Sequence, residues 1–216
     1  MISQYSNIMK NQDPQCKKCR RAGEKLFLKG EKCEGAKCTL VKRNFAPGVH
    51  GNKGFKRLTN YGKQLAEKQK AKRLYGLREK QFRNYFEKSF KKVGKTGELL
   101  FGLLENRLDN TVYRLGFAKS RNQARQMVNH ALIEVNGQRV NIPSYQVKIG
   151  DLISIKEKSM KSPLFENIRS DLEKKDLVPW LSLDKKELKG KVTGVPSLAE
   201  VALNIDWQSI VEFYSK

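Results

Sequence analysis

The sequence predicts an α+β protein: a cysteine-rich N-terminal segment, a helical stretch, and a mixed region in which two helices pack on a small antiparallel sheet. Three observations carry this. Leu100, Leu104, Leu108, Val112 and Leu115 recur at helical spacing and make one apolar stripe. From Leu132 to Ile155 the chain alternates like strands joined by turns, and Asn136-Gly137 is a strong hairpin signal. All the cysteines fall near the N-terminus.

Cys16, Cys19, Cys33 and Cys38 are spaced C-x2-C-x13-C-x4-C, and no other cysteine occurs. Two close pairs separated by such a loop suit a tetrahedral zinc ion held by four thiolates. CKKC is expected to form a tight turn, and Gly35 serves the second pair. Nearby lysines, among them Lys17, Lys18 and Lys37, favour thiolate over thiol. Four protein ligands leave no open position, so the role is structural. An iron–sulfur cluster is the alternative metal group. Disulfides and free thiols are the remaining readings, and a reducing compartment disfavours the first of these.

The next passage, RNFAPGVHG from Arg43 to Gly51, is basic and marked by turn residues. Glycine there lets a backbone approach a phosphate closely, and His50 on its own reads as a solvent-facing loop residue. A helical region runs from about Tyr61 to Lys92. Its first part, Gln64 to Arg73, is charged almost all round, which fits a helix that is solvent-exposed or laid against a polyanion. Leu74, Leu77, Phe82, Tyr85, Phe86 and Phe90 then give a packing face. Gly94-Lys95-Thr96-Gly97 reads as a hinge into a second domain.

On the Leu100–Leu115 helix, Arg107 and Arg114 fall off the apolar stripe and are free to face a partner. Gly116 ends that helix. Ser120 opens the next, with Gln123 at capping-box spacing. Arg121 and Arg125 share a face near its N-terminus, with Asn122, Asn129 and His130 close by, while Ala124, Val128 and Ala131 supply the buried side. A guanidinium fork and a helix N-terminus both attract phosphate. Gly150-Asp151 marks a turn before the strand at Leu152, Ile153 and Ile155. Ser162-Pro163 opens a further helix, Val178 to Leu183 and Lys191 to Thr193 read as strands, and Asp206 caps a last helix ending near Tyr214.

The balance of 44 Lys+Arg against 22 Asp+Glu gives a formal charge of +22 over 216 residues and a pI near 9.9. An enzyme for neutral metabolites has no need of that excess, which is the electrostatic footprint of a nucleic-acid binder. A membrane-surface role wants a dominant basic amphipathic helix or a lipidation signal, and neither is found. No apolar run is long enough to span a bilayer, and the start MISQY begins no signal peptide. A cytoplasmic location is expected.

In order along the chain, the cysteine spacing, PGVHG, YGKQLAEKQKAKRLYGLREKQF, RLDNTVYRLGFAKSRNQARQMV, VNGQRVNIPSY, PWLSLD and IVEFYSK resemble bacterial-type ribosomal protein S-four of the small subunit, in its zinc-binding four-cysteine form. The likeness spans nearly the whole chain, with Val49 standing where the PGQHG-like turn usually has glutamine. The resemblance implies a zinc-binding extension over 1–46, a helical domain over 47–96 completed by 195–216, and an α+β RNA-binding domain over 97–194 with its module core at 105–157. It implies a structural, non-enzymatic constituent of the small ribosomal subunit that binds a 5′-domain junction of its ribosomal RNA, nucleates assembly and contributes to translational accuracy. Implied partners are neighbouring small-subunit proteins, including protein five, and messenger RNA where it enters the subunit. The residues placed against RNA are Arg43, His50, Lys53, Lys56, Arg57, Tyr61, Lys63, Lys68, Lys72, Arg73, Arg107, Lys119, Arg121, Asn122, Arg125 and His130. The competing function is an RNA-modifying enzyme carrying the same module. Its catalytic domain requires more chain than is present, and Asp171, Asp176, Asp184 and Asp206 have no nucleophile context. A DNA-binding regulator is a third class, without a helix-turn-helix pattern to support it.

Overall fold

The computed structural model describes residues 14–54, 57–160, 162–166, 168–173 and 176–215. Backbone contacts divide the chain into two units, 1–59 and 60–216.

In the first unit, α1 (Gln15–Ala22), α2 (Glu31–Glu34) and α3 (Thr39–Lys42) are short helices joined by turns. Its buried apolar set is small: Cys19, Leu26, Leu28, Cys33 and Cys38. CKKC lies on α1 instead of in a turn, and its three-residue spacing puts both thiols on one helix face. Arg20 clamps α1 to the loop beyond α3. Its Nε donates to the Phe45 carbonyl at 2.9 Å, and its guanidinium lies 4.7 Å from the Phe45 ring centre. Gly51 packs so tightly on that loop that a Cβ would sit 1.8 Å from the Ala46 carbonyl oxygen. The protein's own turn therefore requires glycine at this position.

In the second unit, α4 (Asn60–Leu74), α5 (Glu79–Phe90), α6 (Thr96–Glu105) and α10 (Trp207–Tyr214) form a helical layer. The charged helix α4 is not bare: α10 packs on it, and Gln64, Lys68, Ala71 and Leu74 are buried. Asp206 caps α10 by accepting the Ser209 N–H at 3.1 Å. Phe82 and Phe86 of α5 are buried as expected, but Phe90 is exposed. Of the glycine-marked segment, Gly94 and Lys95 precede α6 while Thr96 and Gly97 form its start, and α5 and α6 pack directly on each other.

The apolar stripe from Leu100 to Leu115 is fully buried, yet it belongs to two helices, α6 and α7 (Leu108–Leu115). Between them Arg107 is extended (φ −71, ψ 136) and bridges Gln146 in antiparallel fashion. The Leu108 N–H donates to the Tyr145 carbonyl at 2.8 Å and the Asp109 N–H to the Pro143 carbonyl at 3.2 Å. Those bonds satisfy two of the orphan donors that a new helix start creates, which offsets the break.

After α7, Gly116 takes a left-handed φ of 92 and α8 (Arg121–Asn129) follows. Ser120 Oγ accepts the Gln123 N–H at 3.3 Å. The Gln123 side chain reaches back to the Lys119 N–H at 2.8 Å. Strands β1 (Ile133–Val135), β2 (Gln138–Arg139), β3 (Leu152–Ile155), β4 (Leu181–Asp184) and β5 (Lys189–Val192) form one antiparallel sheet in the order β2-β1-β3-β5-β4. Asn136 and Gly137 have φ of 52 and 76, the left-handed pair that a two-residue hairpin demands. Ile133, Val135, Ile153 and Ile155 point into the core, and Leu115 of α7 rests on Gly190 of β5. A short 3-10 turn (Pro163–Phe165) and α9 (Ile168–Glu173) stand where the Ser162-Pro163 helix was expected.

Candidate nucleic-acid interface

Two buried carboxylates organise the arginines of α7 and α8. Asp109 accepts from Arg107 Nε at 3.0 Å and Nη2 at 2.8 Å, and from Arg125 Nη2 at 2.7 Å and Nε at 2.9 Å. Arg107 Nη1 also donates to the Tyr85 hydroxyl at 2.7 Å. Arg125 completes its contacts on the Tyr75 and Gly76 carbonyls. Glu105 accepts from Arg114 Nε at 2.8 Å and Nη2 at 2.9 Å, from the Tyr75 hydroxyl at 2.7 Å, and from Asn110 Nδ2 at 2.8 Å. Burial opposes the charge on Glu105, but Arg114, Arg121 and the Tyr75 hydroxyl outweigh it and hold the carboxyl below its ordinary range. Burial beside that carboxylate pushes the Tyr75 hydroxyl far up.

A third carboxylate clasps the helical layer. Glu79 accepts from Lys68 and Lys72 at 2.8 Å each and from the Tyr214 hydroxyl at 2.8 Å, tying α4, α5 and α10 together. Partial burial opposes its ionisation, and the three donors override this and hold the carboxyl at about 2.

These contacts sort the residues expected to face RNA. Arg107 is 2% exposed and Lys68 is 5% exposed, so both are withdrawn from the surface. Lys72 is half-buried on Glu79, and Arg125 is spent on Asp109 and two carbonyls. Arg43, His50, Lys53 and Arg57 of the first unit are exposed, as are Tyr61, Lys63, Lys119, Asn122 and His130 of the second. Arg73 and Arg121 are half-buried. Lys56 lies outside the described residues. Glu79, Glu105, Asp109, Asn110, Tyr75 and Tyr113 were not singled out from the sequence as parts of a site. Their signal was the run of acids at Glu105 and Asp109 amid arginines, which spacing alone could not pair.

None of the four cysteines is in a disulfide, and three of them are buried. Burial pushes the Cys19 thiol up. A hydrogen bond from the Leu26 N–H opposes this, and the charges of Cys33, Cys16 and Cys38 add to it. The Lys29 N–H donates to Cys33 Sγ at 3.3 Å. The donor chemistry suits zinc or iron. As the side chains stand, no group of three or more His, Cys, Asp or Glu among the described residues is arranged to hold a metal ion. No helix among the described residues is long and apolar enough to cross a membrane.

The Ribosomal protein S4/S9 N-terminal domain family matches residues 10–105, and the S4 domain family matches residues 106–153. Small ribosomal subunit protein uS4A of Alkaliphilus metalliredigens is 53% identical over 205 residues, covering 94% of this chain and 98% of that protein. Small ribosomal subunit protein uS4 of Thermus thermophilus is 49% identical over 203 residues, covering 94% of this chain and 97% of that protein. The Koribacter versatilis protein of the same name is 52% identical over 205 residues, covering 94% and 98%. With two family matches meeting at the end of α6 and relatives of this identity aligned nearly end to end, the chain belongs to the small ribosomal subunit protein uS4 family.

Proposed function

We propose that this chain is a structural constituent of the small ribosomal subunit that binds ribosomal RNA directly and carries no catalytic activity. The observation that carries this is the near-full-length identity to small ribosomal subunit proteins. The net charge of +22 supports it, because phosphate neutralisation supplies much of the affinity of such proteins. The ribosome of the cytoplasm is its place of work. The contact set is Arg43, His50, Lys53, Arg57, Tyr61, Lys63, Arg73, Lys119, Arg121, Asn122 and His130, all exposed or half-buried, with Lys56 added from the sequence.

Further features of this reading rest on the family likeness. The RNA target is a multi-helix junction in the 5′ domain, bound early in assembly. Protein five and incoming messenger RNA are neighbours, and the contact influences accuracy. A structural zinc ion is held by Cys16, Cys19, Cys33 and Cys38, supported by their paired spacing and by three of the four being buried. When bound, the metal supplies the cross-link that so small an apolar core does not.

The test is a salt-titrated binding curve on a small-subunit RNA fragment containing the junction, beside a linear duplex of equal length. Junction binding should be tighter, because an A-form helix hides its major groove and shape is what remains to read. Affinity should fall steeply with salt, by roughly 10³–10⁵ from 50 to 200 mM if six to ten phosphates are contacted as on duplex DNA. Equal affinity for the two RNAs would rule out junction recognition.

A further inference from the structure

Arg121 differs from its neighbours in what its guanidinium has left to give. Arg107, Arg114 and Arg125 each place a terminal nitrogen on a buried carboxylate. Among the described residues Arg121 makes one hydrogen bond, from Nε to Asn110 Oδ1 at 2.7 Å. Its guanidinium carbon lies 4.5 Å from the Tyr113 ring centre and 5.2 Å from that of Tyr75. Among the described residues neither Nη1 nor Nη2 of Arg121 has a hydrogen-bond partner.

The orientation of Asn110 is itself determined. The residue is 1% exposed at the start of α7. Its Nδ2 donates to Glu105 Oε2 at 2.8 Å and to the Glu105 carbonyl at 3.1 Å. An ionised carboxylate only accepts, so the amide nitrogen must face Glu105 and the amide oxygen must face away. Glu105 also receives the Tyr75 hydroxyl, which fixes one ring against which Arg121 lies. Arg114 holds that carboxylate in the charged form on which the arrangement depends.

We infer that Asn110 is a positioning residue for RNA contact: backed by Glu105, it holds Arg121 by Nε against Tyr113 and Tyr75, so that Nη1 and Nη2 form a pre-oriented fork for one backbone phosphodiester. This rests on the RNA-binding reading above. Two parallel N–H groups match two phosphate oxygens. A side chain already ordered gives up little freedom when it binds. Arg125, four residues on, is a structural clamp with no such fork.

The experiment is a double-mutant cycle on the full chain, with a transcript of the small-subunit RNA junction as probe. Arg121→Ala should weaken binding several-fold and lower the salt slope by about one contact. Asn110→Ala should weaken binding while Arg121 is present and cost nothing further once it is gone. Tyr113→Ala, at a half-buried site, should behave like Asn110→Ala and serves if the buried substitution does not fold. In the free wild-type protein, the Arg121 Nε–H should exchange with water more slowly than that of exposed Arg139, an observable that needs no variant. Equal losses from Asn110→Ala and Tyr113→Ala with and without Arg121 would overturn the inference. So would unchanged affinity in Arg121→Ala, or equal exchange at the two arginines. A wild-type chain that ignores the junction RNA would remove the RNA-binding reading itself, whereas binding with an additive cycle would remove only the positioning role.

Discussion

Asp109 receives two guanidinium groups within a site where Arg107 is 2% and Asp109 3% exposed, so removing one arginine leaves a carboxylate short of charge in a poor solvent. Arg107→Ala should therefore destabilise the second unit by about 3–5 kcal/mol in a urea melt. Arg121→Ala removes one hydrogen bond to Asn110 and two ring contacts but leaves Glu105 paired with Arg114, so its cost should be clearly smaller than that of Arg107→Ala. A larger loss for Arg121 than for Arg107 would reverse the assignment of roles. Glu79 gives the pH prediction. Its carboxyl is held at about 2 against an ordinary 4.5, so its contribution to stability is complete above 4.5 and is lost as pH falls through the window down to about 2. The side chain is 46% exposed, so screening keeps each ion pair within roughly 0.2–1 kcal/mol. Thermal melts across that window should show Glu79→Gln with a flatter pH dependence than the wild type, and parallel curves would remove Glu79 from the account. At this scale the sequence told which residue types bind phosphate, but not which were already committed. Arg107 and Asp109 are two apart, a spacing that does not meet on a helix, and they meet here only because Arg107 is extended.

At the scale of elements, most boundaries were legible because the chemistry is local. Ser120 caps α8, Asn136-Gly137 turns the hairpin, and Asp206 caps α10, each by the contact its residue type supplies. The break between α6 and α7 was not legible, since Leu104 and Leu108 keep helical spacing across it. Its cause is distant in sequence: the carbonyls of Pro143 and Tyr145 that receive the new helix N–H groups. Leu108 is fully buried beside that break, so Leu108→Ala should cost roughly 2–5 kcal/mol through lost burial and a cavity, read from denaturant midpoints. Gly190 tests the opposite failure. A Cβ on this strand residue would lie 2.5 Å from both methyl carbons of Leu115, a fully buried side chain that would have to shift within the core. Gly190→Ala should destabilise by about 1–3 kcal/mol by overpacking. An unchanged melt would mean that α7 yields on the sheet more readily than its packing indicates.

For the whole molecule, the two units differ in what holds them together. The second has a continuous apolar core in which Leu100, Phe101, Leu104, Leu108, Leu115, Ile133 and Ile153 are entirely buried. In the first, the described core is Leu26 and Leu28 with three cysteines, beneath a surface rich in lysine. Ordering some 40 residues costs about 1–2 kcal/mol each, which that small apolar set has to offset unless a metal helps. The cysteine spacing is what raises a metal cross-link as an expectation. The placement of Cys16 and Cys19 on a helix was not visible, because four thiols in pairs look alike in a turn or on a helix face. If zinc supplies the cross-link, its apparent binding energy of about 10–16 kcal/mol is the folding energy of this unit. Cys33→Ser, or chelation of the wild type, should then abolish amide exchange protection at residues 14–54 and leave the melt of residues 60–216 in place. Metal analysis of the untreated protein should return one zinc per chain. Protection at residues 14–54 persisting in protein shown to hold neither zinc nor iron would defeat the proposal, and the apolar contacts of Leu26, Leu28 and the thiols would have to suffice without a metal.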